Sequence, residues 1–94
     1  MANVVSANTA YVDTAADVTS YKIKVTQIIL TPTAANAILV LSDTVSTNKK
    51  LDLRAATSGQ SLIVDLNATP MLFEGGLKVA TLTNAIVTLM YNRV

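Results

Sequence analysis

The 94-residue sequence has no cysteine, no histidine and no tryptophan, and only three glycines and two prolines. Without Cys or His, a zinc site of the usual ligand types, a disulfide framework, a Cys or His nucleophile system and a c-type haem are all excluded. Charge is also scarce. Charged residues make up 14% of the chain, with a formal net charge of +1, where an ordinary soluble domain carries roughly 25%. A basic nucleic-acid-binding surface is not expected at that balance. Long hydrophobic runs are missing. The longest stretch of large apolar residues is Ile38-Leu39-Val40-Leu41, whereas a membrane-spanning helix needs about twenty predominantly apolar residues. The opening Met1–Ser6 has neither a basic start nor an apolar core, so no secretory signal is read there. The lack of cysteine fits synthesis in a reducing cytoplasm.

What is present is apolar and β-branched. Hydrophobic residues make up 51% of the chain, mean hydropathy is +0.46, and Thr, Val and Ile fill nearly a third of it. A domain of this size buries only about 60–65% of the surface of its unfolded chain. Some of this apolar supply therefore stays outside the core, where exposed patches serve as contacts with other proteins. The composition points to a subunit of an assembly.

Residues 1–20, rich in Ala, Thr, Asn, Val and Ser, read as an extended N-terminal arm or edge strand. Val4, Val5, Tyr11 and Val12 are its candidate interface residues. Residues 21–94 read as a single β-sandwich domain. In 21–31, Tyr21, Ile23 and Val25 alternate with Lys22, Lys24 and Thr26, the pattern of a half-buried strand. The alternation breaks at Ile28-Ile29-Leu30, which calls for a bulge or a strand buried on both sides. Pro32 ends the run. Further strands are expected over 37–42, 50–54, 61–66, 71–73, 77–82 and 85–91. Loops or turns are expected at 43–49, 55–59, 67–70, 74–76 and Thr83-Asn84. Seven or eight short strands with turns every 8–12 residues predict an all-β, antiparallel sandwich of jelly-roll or Greek-key type.

No motif carries chemistry strongly. Asp52 and Asp65 fall on neighbouring strands in this reading, and acid–base glycoside chemistry needs two facing carboxyl groups, but both sit on polar faces. Asp13 and Asp17 match no calcium loop. Gly75-Gly76 lacks the lysine and helix of a phosphate loop. Lys22, Lys24 and Lys78 suggest at most a small basic patch. Asn67-Ala68-Thr69 fits a glycosylation triplet without a secretory context. Phe73 reads as core. Tyr21 and Tyr91 read as caps at strand ends, their hydroxyls in water. No catalytic, cofactor or metal site is expected.

The segments KIKVTQIILT, AILVLSD, KKLDLRAATSGQSLIVDL and PMLFEGGLKVATLTNAIVTLMY resemble the small all-β virion proteins of tailed bacteriophages, the capsid decoration (cement) proteins among them. The resemblance spans about residues 21–91 and rests on strand pattern and turn placement. It is clearest at the end, where a proline, an apolar bend and a Gly-Leu precede an alternating hairpin finishing in Tyr91. It implies a non-enzymatic subunit on the capsid exterior that binds the major capsid protein, associates with itself as a homotrimer and locks neighbouring capsomers. It implies neither nucleic acid nor membrane as a partner. The arm has no counterpart in the pattern; β-strand addition to a shell protein is its natural use. The alternatives are a fibre, knob or tail component contacting the host surface, and a small adhesion or carbohydrate-binding module.

Overall fold

The computed structural model describes residues 3–44, 49–55 and 60–94. The loop expected at 43–49 and the turn expected at 55–59 lie largely outside these residues. Among the described residues there are ten strands: β1 (Val4–Val5), β2 (Thr9–Val12), β3 (Ala16–Asp17), β4 (Ile23–Pro32), β5 (Ala37–Asp43), β6 (Lys49–Ala55), β7 (Leu62–Asp65), β8 (Met71–Phe73), β9 (Leu77–Thr83) and β10 (Ala85–Arg93). They form two antiparallel sheets packed on one core. Sheet A has the order β1-β2-β10-β4-β7, with β8 also paired to β4, and sheet B has the order β3-β9-β5-β6. Strands β4 to β10 fall where the β-branched, alternating segments predict them. The number exceeds seven or eight because residues 4–17 form three short strands. Of these, β1 and β3 lie at sheet edges, while β2 sits between β1 and β10.

The core follows from period-two alternation. Strand β10 sends Ala85, Val87, Leu89 and Tyr91 inward, and β5 sends Ala37, Leu39 and Leu41 to meet them. On β4 the alternation is reset once. Val25 pairs with Tyr91 and Gln27 with Met90, so Thr26 is an extra residue without a partner on β10. Its hydroxyl donates to the Met90 carbonyl at 3.2 Å, and its own carbonyl accepts Leu66 N–H at 2.8 Å. Ile23 and Val25 before the bulge and Ile28, Leu30 and Pro32 after it are therefore all buried. The Ile28-Ile29-Leu30 break is thus a bulge, and Ile29 is only half-buried on the outer face. A second bulge resets β9, where Val40 pairs with Thr81 and Leu41 with Val79, leaving Ala80 over.

The chain crosses between sheets at most connections; β1–β2, β5–β6 and β7–β8 stay within one sheet. The segment after Leu77 was expected to close as a hairpin, but β9 lies in sheet B and β10 in sheet A. Thr83-Asn84 is a corner. Asn84 has φ 55° there, and Asn36 has φ 61° in the β4–β5 crossing beside it, a conformation asparagine tolerates. The two crossings are joined: Thr33 N–H donates to the Asn84 carbonyl at 2.8 Å, and the Asn84 amide donates to the Ala35 carbonyl at 3.0 Å.

The opposite end is closed around Gly76, whose φ is 124°. A Cβ there would collide with the Thr19 carbonyl, so only glycine lets the 74–76 turn lie against the strand crossing at Thr19. The Thr19 hydroxyl accepts Leu77 N–H at 2.9 Å. Replacing Gly76 with Ala combines a forbidden φ with a backbone clash and should cost at least about 2 kcal/mol. Thermal unfolding followed by circular dichroism should show the midpoint lowered by roughly 8 °C or more; an unchanged midpoint would remove this turn from the stability of the fold.

Candidate functional site

The two outer faces of the sandwich differ. On sheet B the outward positions carry paired charges. Asp17 lies opposite Lys78 across β3–β9. Asp52 and Arg54 of β6 form an ion pair at 3.0 Å, and the neighbouring β5 residues Val40 and Ile38 are half-buried beside them. The Asp52 carboxylate holds the exposed Arg54 guanidinium further above its ordinary range, chiefly by the hydrogen bond and then by charge attraction. This face suits water.

The outer face of sheet A is uncharged through its centre. Cross-strand pairing lines up Val4, Tyr11, Thr88, Ile29 and Ile63 in one row across five strands. Ile86 and Met90 flank Thr88 along β10, opposite Thr31 and Gln27 of β4. Among the described residues the exposed large hydrophobics are Val4 at 60%, Val5 at 47%, Ile63 at 63% and Val94 at 56%. The first three are on strands of sheet A, and Val94 directly follows its strand β10. Charge in its strands appears at the rim, as Lys24 opposite Asn92 and Asp65 opposite Gln27, and Asp13 directly follows β2.

Of the four candidate interface residues, two lie on this face, Val4 and Tyr11. Tyr11 is half-buried there; Val5, the other residue of the edge strand, is exposed but pairs with the buried Ala10 and so points to the opposite side of the sheet. Val12 does not belong: the next residue along a strand points the opposite way, and Val12 is wholly buried in the core. The sequence reading missed Ile29 and Ile63. The signal for Ile63 was an isoleucine sharing a strand face with Asp65; Ile29 keeps the phase of Ile23 and Val25 in the sequence, and only the bulge at Thr26 turns it outward.

Other sequence candidates are dispersed by the topology. Asp52 is on β6 at the edge of sheet B and Asp65 on β7 at the edge of sheet A, so they are not cross-strand neighbours. The Asp65 carboxylate accepts from the Asn67 backbone at 3.0 Å and from its side chain at 2.8 Å, which makes a turn. Lys78 lies in sheet B, apart from Lys22 and Lys24 at the sheet A end. Among the described residues no group of three or more Asp or Glu is gathered as a metal site. Phe73 is fully buried, and the Lys50 ammonium lies 5.8 Å from its ring centre.

A cleft of about 390 Å³ opens beside Gly76, lined by Asp17, Val18, Thr19, Ser20, Thr44 and Gly75. Asp43, read from sequence as the start of a loop, is instead 3% exposed at the end of β5 and accepts Gly75 N–H at 3.2 Å. Thr44 Oγ1 donates to the Gly75 carbonyl at 2.6 Å. Among the described residues no buried side-chain polar atom lacks a partner. These groups are spent on holding the end of the sandwich closed.

Tyr91 corrects another expectation. Its hydroxyl does not reach water. The side chain is 1% exposed, and the hydroxyl donates to the Ser6 carbonyl at 2.8 Å, with the Thr9 carbonyl at 3.3 Å. The last strand thereby fixes the turn that presents β1. Tyr21 remains at the surface, with the Arg93 guanidinium 4.2 Å from its ring centre. No family model, no curated protein and no solved structure matches the chain.

Burial, and secondarily the charge of Tyr21, raises the Tyr91 phenol above its ordinary value of 10.0. The folded state therefore holds this proton more tightly than the unfolded chain does. Its contribution to stability is complete below the ordinary tyrosine range and is lost as pH rises through the raised value. Tyr91→Phe should cost about 1 kcal/mol at neutral pH and should weaken the fall in stability above about pH 10. Urea unfolding at neutral and alkaline pH measures both; equal alkaline losses in the two proteins would show that Tyr91 does not govern this dependence.

Proposed function

We propose that the chain is a non-enzymatic virion structural protein, a capsid decoration protein that sits on the outer shell of a tailed phage and stabilises contacts between capsomers. The observation that carries this reading is the unequal pair of faces: sheet B presents paired charges to solvent, while the large exposed apolar residues gather on the sheet A side. A protein held against a lattice needs one side that gains by being covered and one that remains wet. The sequence resemblance to small phage virion proteins supports the same role.

The finer fold assignment that accompanies this reading is a jelly roll. Its support is the strand order: β2-β10-β4-β7 faces β3-β9-β5-β6, an arrangement of two interlocked Greek keys in which successive strands alternate between the sheets except at the β5–β6 hairpin. Strand β1 and strand β8 are additions to that framework.

Attachment to the shell falls to β1. It is two residues long, ends sheet A, and carries Val4 and Val5 exposed. Its outer edge is open to pairing with a strand of the major capsid protein. Each such contact is small, but a shell offers many, and linked weak contacts act together.

Cryo-electron microscopy of particles should find the protein in hundreds of copies over the shell; a few copies confined to one vertex or the tail would overturn the decoration role. Removing residues 2–5 leaves Ser6, Ala10 and Val12 in place, so the fold is retained while β1 is lost. Occupancy on particles should then fall at least about tenfold, the loss of roughly 1.4 kcal/mol per site, and full occupancy by this truncated protein would exclude β1 as the attachment point.

A further inference from the structure

Strand β10 is the middle strand of the five-strand path in sheet A, with β2 and β1 on one side and β4 and β7 on the other. A face-to-face pairing about an axis along β10 therefore brings β2 against β4 and β1 against β7 of the second molecule. The registers decide whether this is favourable. The row Val4, Tyr11, Thr88, Ile29, Ile63 meets its own reverse: Val4 faces Ile63, Tyr11 faces Ile29, and Thr88 faces Thr88. In the flanking rows Ile86 faces Ile86 and Met90 faces Met90, while Thr9 faces Gln27. The rim carboxylate Asp65 falls opposite the turn at Ser6, and no like charges are brought together.

We propose that the outer face of sheet A is the docking surface for a second copy of this chain, in an isologous pair whose two-fold axis runs along β10. This deepens the reading that the sheet A side is the covered one, and it rests on that reading. It divides the surface: the face goes to the sister copy and the open edge of β1 to the shell.

The size of the face agrees with such a pair. Five strands at about 4.8 Å spacing are roughly 24 Å wide, and the stretch from Ile86 to Asn92 is about 20 Å long. The footprint is on the order of 500 Å² per copy, or about 1,000 Å² in total, the size of a specific but modest interface. Twisted sheets pack about 30° apart, which keeps the central residues Tyr11, Thr88, Ile29, Ile86 and Met90 in contact and rotates only the corners. Sheet B does not suit the same use, because Asp17, Lys78, Asp52 and Arg54 would have to leave water. An uncharged, register-symmetric face also has little with which to select a charged partner, and two-fold homodimers are the commonest closed assemblies.

The test is sedimentation velocity on the full-length protein from about 10 µM to about 500 µM, the range in which an interface of this size associates. The wild type should form a species of twice the 9.9 kDa chain mass. Ile63→Lys alters a residue 63% exposed in the single chain, so its thermal midpoint should be unchanged while dimer formation weakens at least tenfold. Thr88→Lys places two lysines against each other on the axis and should be monomeric. Mixed with Thr88→Asp, it should regain the dimer as a heterodimer. A wild type that stays monomeric, or forms a trimer, overturns the proposal. So does a dimer indifferent to Ile63→Lys, or failure of the Lys/Asp mixture to pair. A monomeric chain that still coats particles overturns this pairing alone; a dimer that never occupies the shell overturns the decoration role alone.

Discussion

Every face in this molecule depends on the two-residue period of extended chain. Moving a strand by one residue exchanges its buried and exposed sides. The extra residue Thr26 makes that exchange in the middle of β4. Ile23 and Val25 point inward in one phase, Ile28 and Leu30 in the other. Were Thr26 paired as an ordinary strand residue instead, half of the longest strand would present its large side chains to solvent and turn Lys24 or Gln27 toward the core. The bulge also sends Ile29 outward, where it completes the row from Val4 to Ile63. Core and outer surface are thus products of one local irregularity.

The two ends of the sandwich are held by different means. At the Asn84 corner, backbone and side-chain hydrogen bonds join two sheet crossings, and two asparagines take up left-handed conformations. At the Gly76 end, buried polar groups do the work: Thr19 and Asp43 satisfy backbone N–H groups of the 74–77 segment. Buried polar groups cost stability unless they are paired, and these are paired. The cleft beside them is accordingly a by-product of closing the fold, while the distinctive chemistry of the surface is the contrast between a charged sheet and an uncharged one.

Much of this architecture was legible in the sequence because alternation and turn residues are local signals. The seven segments from Ile23 to Arg93 show them, and the break at Ile28-Ile29-Leu30 announced the bulge. What escaped depended on pairing between distant parts of the chain. Thr83-Asn84 has the residues of a hairpin turn, and only the sheet membership of β9 and β10 makes it a corner. Asp43 follows an apolar run and looked like its end, although it keeps the phase of Ala37, Leu39 and Leu41. Val12 is a valine beside a tyrosine in a polar segment, and nothing local says which of the two faces inward. The apolar row on sheet A joins residues from five strands, so only the register could reveal it.

Strand β2 lies between β1 and β10, and Tyr91 secures the turn that leads into it. Strand β2 therefore finds its main pairing partner in β10, the strand of this domain most distant from it in sequence. Nascent residues 4–12 have nothing to add to until β10 has been made, so the sandwich closes late and slowly, in the manner of sheets dominated by distant contacts. During that interval the N-terminal segment of one polypeptide is free to insert beside the β10 of another, and the same adjacency that closes a single molecule supplies a route for strand exchange between molecules.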